Sequence, residues 1–190
     1  MSKFFGPSPL QDAPAVRFIF ANTKMAWLWL VVRVYVGYTW LTASLHKLSS
    51  PAWMQTGDAI KGYWENAVRI PEAPAPAPIY YGWYRSFLQS LLDSGAQVWF
   101  GKLIAIGEFL VGICLILGLF VGVAAFFGAL MNLNFMLAGS LASGPVLLVL
   151  EILLVIAWKI AGHFGLNYFI HKRFGTFWQP AARKRIPAQS

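Results

Sequence analysis

The chain has 190 residues, 58% of them hydrophobic and only 12% charged, with 15 Lys and Arg against 7 Asp and Glu and a formal charge of +8. That balance is too apolar for a soluble domain and describes a single-domain integral membrane protein. The basic residues gather at the chain ends beside apolar runs, where they set topology rather than bind nucleic acid. The lone cysteine, Cys114, excludes a disulfide framework or a CxxC redox pair.

Residues 1–24 carry Lys3, Arg17 and Lys24 without the apolar core of a signal peptide, and are expected to form a cytoplasmic segment. Four apolar runs follow, at 25–45, 99–120, 121–139 and 146–166. Each approaches the ~20 residues that a helix needs to cross ~30 Å of hydrocarbon. The tight joints at 120–122 and 140–145 leave room only for antiparallel neighbours. The expected fold is therefore an all-α integral membrane protein: an antiparallel bundle of four transmembrane helices over 25–170, an extracytoplasmic amphipathic insert at 49–96 between spans one and two, and a basic tail at 171–190. An even number of spans puts both termini on one side, and the excess of Lys and Arg near them makes that side the cytoplasm.

Within the insert, Trp53, Gly57, Ile60, Trp64 and Ala67 recur at helical spacing, opposite a Lys61–Glu65–Arg69 charge ladder. Pro71 to Pro78 is expected to run as a polyproline II spacer. Tyr80 to Leu92 then reads as an interfacial helix with Tyr80, Tyr84, Phe87, Leu88 and Leu91 on one face. Both helices suit a lid lying on the membrane, or a docking surface for a soluble partner.

Inside the apolar runs the anomaly is Glu108, because a charge at membrane depth costs at least about 2.5–3.5 kcal/mol and calls for a partner or a task. Counting 1.5 Å per residue, Glu108 lies about 14 Å and Glu151 about 8 Å from the outer edge, while Asn132 and Asn134 lie about 17–20 Å from the inner edge. Three spans thus deliver polar groups to the outer half. The first span adds Arg33, about 12 Å from the inner edge, with Gly37, Trp40, Ser44 and Lys47 on roughly the same face, and His46 and Lys47 at its outer end. Small residues on the face of Glu108 (Gly101, Ala105, Gly112) and Gly128 one turn before Asn132 favour close helix approach. Two roles stay open for Glu108: an ion pair, for example with Arg33, that holds helices together, or a carboxylate that accepts a proton or touches a quinone head group. The candidate catalytic residues are Glu108, Glu151 and Arg33, and the candidate substrate-binding residues are Lys47, His46, Asn132, Asn134 and Trp40. His163 and His171 read as interfacial side chains, and the sequence carries no haem, iron–sulfur or metal-ligand motif.

RVYVGYTWLTASLHKL in the first span, GEFLVGICLILGL in the second, MNLNFMLAGSLAS closing the third and ILLVIAWKIAGHFGLNYFI in the fourth together resemble the DoxX/DoxD family of four-helix membrane proteins. The resemblance covers residues 25–170 and rests on the order and spacing of these motifs. It implies a redox-linked subunit in a bacterial or archaeal cell membrane, the DoxD branch being the large subunit of thiosulfate:quinone oxidoreductase, with quinone as the expected cofactor. The family's arginine, lysine, glutamate and asparagine positions correspond to Arg33, Lys47, Glu108 and Asn132 with Asn134. The chain departs from the family at Gly144-Pro145, where relatives often have Asn-Pro. The expected activity is oxidation of an outer-side donor such as thiosulfate with electrons passing to a quinone. The alternative is a non-catalytic subunit of a larger respiratory or photosynthetic complex. A transporter is disfavoured, since no inverted repeat or pair of broken helices is evident.

Overall fold

Residues 13–72 and 74–169 are described in the computed structural model of the chain. Residues 1–12, the tail at 171–190 and His171 lie outside them. All regular structure among the described residues is helical. A short helix α1 (Pro14–Ala21) leads through a 3-10 turn at Thr23–Met25 into α2 (Ala26–Leu48). Asn22 opens this turn by accepting from the Lys24 backbone N–H at 3.0 Å. The indole of Trp29 donates to Ile19 O at 2.8 Å and pins α1 against α2.

The insert is three helices. Gly57, at φ 76°, ends the single helix expected from Trp53 onward and separates α3 (Pro51–Met54) from α4 (Asp58–Val68). A side chain there would meet the Gln97 backbone at 2.6 Å, so only glycine permits both the backbone angle and the approach. Of the expected ladder, Lys61 pairs with Glu65 at 3.9 Å. The proline-rich stretch contains a turn, with the Ala75 N–H on Glu72 O at 3.2 Å, in place of a straight spacer. Helix α5 (Gly82–Asp93) begins later than expected: Tyr84 and Leu88 face inward, whereas Tyr80, ahead of the helix, is 90% exposed.

Four apolar helices form the body: α2, α6 (Gln97–Leu117), α7 (Val121–Leu137) and α8 (Gly144–Ile156). Residues 23–48 and 97–117 are each long and apolar enough to cross a membrane, while α7 and α8 are shorter. Gly118, at φ 69°, stops α6 before the expected residue 120, and the Leu119 N–H closes the cap on Cys114 O at 2.8 Å. The run expected as one span at 146–166 is broken. After Ile156 a short α9 (Trp158–Ala161) follows, Trp158 packs on Gly122, and the Asn167 N–H donates to Gly118 O at 3.0 Å.

Helix α2 packs tightly along α6 and α7 along α8, while α6 and α7 diverge beyond their shared turn. The α2–α6 seam is set by glycine. A Cβ on Gly112 would lie 2.7 Å from Leu41 N, and one on Gly37 would lie 3.0 Å from Gly112 O. A central core of Val36, Leu115, Val121, Ala125 and Leu154 lies between these helices, and a second core around Ile60, Trp64, Tyr84 and Leu88 joins α4 and α5 to their end.

Candidate functional site

The α2–α6 seam puts Gly112 opposite Gly37 and Leu41, so Glu108, one turn earlier on α6, faces the last turns of α2. There the ammonium of Lys47 donates to Glu108 Oε1 at 2.5 Å. The carboxylate is buried, its side chain 1% exposed, whereas that of Lys47 is 18% exposed and reaches the surface. Two rings flank the ammonium, Trp53 at 4.9 Å and Phe135 at 5.1 Å from their centroids. Both add electrostatic attraction to a desolvated cation. Glu108 Oε2 is buried with no hydrogen-bond partner among the described residues. One lobe of this carboxylate is thus held by a charge-assisted bond and the other is free to take a proton or a donor.

Arg33, a candidate partner of Glu108, lies elsewhere. Its Nη2 donates to Phe164 O at 3.1 Å, and its guanidinium fills the space left by Gly118 and Gly165. Ten residues of α6, about 15 Å, separate Gly118 from Glu108. A cation at the C-terminal end of α6 is favoured by the helix dipole, so Arg33 closes the opposite end of the bundle. Its Nε and Nη1 are buried without partners among the described residues.

Glu151, Asn132 and Trp40 do come together. The Trp40 indole donates to Glu151 Oε1 at 2.6 Å, and Asn132 Nδ2 donates to Glu151 Oε2 at 3.2 Å and to Gly144 O at 3.0 Å. All three side chains are buried, and they tie α2, α7 and α8. Gly128 makes the room, since a Cβ there would lie 3.0 Å from Glu151 Oε1. Trp40 and Lys47 are seven residues apart, so the two carboxylates attach to α2 about 10 Å from each other along its axis. They form two polar centres rather than the single zone expected. Asn134 belongs to neither: its Nδ2 donates to Leu130 O at 2.7 Å, and its Oδ1 and backbone O accept from the Tyr84 hydroxyl at 3.2 and 2.9 Å. His46, next to Lys47 in sequence, is exposed.

Between the diverging α6 and α7 runs an apolar cleft of about 650 Å³, roofed by α4 and α5. Its hydroxyl and amide groups, those of Tyr63, Tyr84 and Asn134, gather at the roofed end, where the Tyr63 hydroxyl donates to Phe135 O at 3.2 Å. Burial raises the Tyr63 hydroxyl above the usual tyrosine range, and burial with Tyr63 nearby pushes Tyr84 up to about 12, so both stay protonated near neutral pH. Phe135 is shared. One part of it lines the cleft and its ring lies under the Lys47 ammonium.

Sequence reasoning missed Trp53, Phe135, Tyr63 and Tyr84 as members of a site. The inward periodicity of Trp53 and Tyr84 was visible, but it points as readily to a lid. Phe135, an aromatic among apolar residues, carries no signal of its own. No protein-family model matches the chain, and neither a curated protein nor a solved structure does.

Proposed function

We propose that the chain is a four-span membrane protein of the DoxX/DoxD type and the membrane subunit of a quinone-linked oxidoreductase, with the Lys47–Glu108 pair as its proton-exchanging centre. One observation carries this reading: Glu108 is buried with one oxygen on Lys47 and the other unpartnered, while Lys47 itself reaches the surface. A buried ionisable group with a partner of its own and an open valence is a functional candidate. A quinone, when bound, takes up two electrons and two protons as it becomes a quinol. The orphaned Oε2 suits that demand, as a position inside an apolar body that can load a proton and hand it on. Lys47 holds the other oxygen and, through its exposed flank, relays protons to and from the aqueous side. An anionic donor such as thiosulfate would be drawn to the same ammonium. Two such anions joining as tetrathionate would supply the two electrons.

The test uses the protein purified in detergent, with reduction of a soluble quinone analogue by thiosulfate as the readout. Wild type is expected to be active and Glu108→Gln, which keeps the shape but cannot ionise, inactive. An inactive wild type that gains no activity with its co-purifying subunits would sink the enzyme reading.

The second reading, a non-catalytic subunit of a larger respiratory or photosynthetic complex, is favoured by a different observation. Trp40, Glu151 and Asn132 are fully engaged in links between helices, and Trp83 and Tyr80 lie exposed on the lid side. Stable co-purifying subunits with activity indifferent to Glu108→Gln would select it.

A further inference from the structure

The α6–α7 cleft is longer and narrower than a helix packing defect. On α6 its lining runs from Phe100 to Cys114, about 21 Å of helix, and Leu103, Leu110, Phe120, Val123, Phe127 and Leu130 form an exposed apolar rim. The cleft has a volume of about 650 Å³. That volume suits a small ligand. The far end is closed to the outer side by α4 and α5, so the opening is lateral, between the helices. Among the described residues no Lys, Arg, Asp, Glu or His lines the cleft. Uncharged hydrogen-bonding groups sit at the roofed end alone.

From this geometry we infer that the cleft binds the hydrocarbon chain of a membrane lipid whose head group is uncharged, with the head against Tyr63, Tyr84 and Asn134. The inference rests on the membrane reading above and not on catalysis. A charged head would be desolvated there among uncharged lining side chains, which disfavours it. The Tyr63 and Tyr84 protons are given to Phe135 O and Asn134 O, so a hydroxyl head can donate to the tyrosine oxygens and a carbonyl head can accept the second Nδ2 proton of Asn134. Phe135, which lines the cleft, also carries the Lys47 ammonium 5.1 Å from its ring centroid.

Two readouts test this. Protein purified in mild detergent is extracted with organic solvent and the extract is analysed by mass spectrometry. Wild type is expected to carry a long-chain lipid with an uncharged head, and Gly107→Phe to lose it. Gly107 lines the middle of the cleft, and a Cβ there meets only Met131 Sδ at an ordinary 3.4 Å, so the ring is directed into the cleft without disturbing backbone. Should that variant fail to fold, Leu110→Trp at the exposed rim serves in its place. The second readout is Cys114, the single thiol of the chain, seven residues beyond Gly107 on the same side of α6. Geranylgeraniol at about ten times its Kd should slow N-ethylmaleimide labelling of Cys114 about tenfold. Geranylgeranyl phosphate and the short-chain geraniol should leave the rate unchanged. Equal protection by the phosphate, or a co-purified phospholipid in the cleft, would overturn the uncharged-head assignment. No protection by any probe together with a lipid-free extract would overturn the site itself. Failure of the membrane reading shows separately, as release of the protein from membranes by alkaline carbonate.

Discussion

The Lys47–Glu108 pair links α2 to α6 through one buried contact. Removing one partner of a buried pair strands the other charge, at about 3–5 kcal/mol, whereas replacing both with apolar groups of similar volume is often close to neutral. Lys47→Met should therefore lower the thermal midpoint in detergent markedly, and Lys47→Met combined with Glu108→Met should recover most of the loss. If the single and double variants melt together, the short contact contributes little and Glu108 is held by other forces. The comparison also separates the two functional readings, because the double variant keeps the packing and lacks the proton site. That Glu108 faces inward was legible in the sequence, from its place among Gly101, Ala105 and Gly112. Its partner was not. Arg33 and Lys47 share one face of α2, and only the axial register against α6 chooses between them.

That register is a property of the element pair, set where two glycines let backbones touch. A Cβ on Gly112 would meet Leu41 N and Cα at 2.7 and 2.9 Å, backbone atoms that cannot turn aside. Gly112→Leu should thus push α2 from α6 and cost about 1–3 kcal/mol or more, as overpacking does. Gly107→Ala, five residues earlier, touches only a flexible methionine and should be neutral or gain up to about 1 kcal/mol of helix propensity. Thermal melts of the two variants in detergent check this directly, and equal losses would show that the seam is not glycine-limited. The stripe of small residues was visible in the sequence, but which helix it would meet was not. Spacing identifies a face and leaves its neighbour open. The same limit explains the fourth apolar run, whose hydropathy is continuous across Ile156 to Trp158 although the helix is not. The break reflects Trp158 packing on Gly122, a tertiary contact between residues 36 positions apart.

At the scale of the whole molecule, the four body helices turn large apolar side chains outward on every side. Val31 and Tyr38 on α2, Leu103 and Ile106 on α6, Phe126 and Leu133 on α7, and Val149 and Ile152 on α8 are all exposed. Such a belt would drive aggregation in water and is satisfied by hydrocarbon. Helices α7 and α8, of 17 and 13 residues, measure about 25 and 20 Å and are short for ~30 Å of hydrocarbon. The bilayer would thin around them, and at the end of α8 the Trp158 and Lys159 side chains would reach the interface. Crossing by α2 and α6 places the lid helices α4 and α5 on one side and the start of α2 on the other, and crossing by α7 and α8 as well would make four spans in place of two. Single cysteines in a Cys114→Ser background distinguish these cases. With Gln89→Cys on the exposed face of α5 and Thr23→Cys before α2, an impermeant maleimide added to intact cells should label the first at once and the second only after lysis. A cysteine at exposed Leu141, between α7 and α8, should behave like Gln89→Cys if α7 crosses, and like Thr23→Cys if only α2 and α6 cross. Labelling of Thr23→Cys in intact cells would reverse the orientation, moving Lys47 and its partner to the cytoplasmic side and with them the side from which any donor approaches.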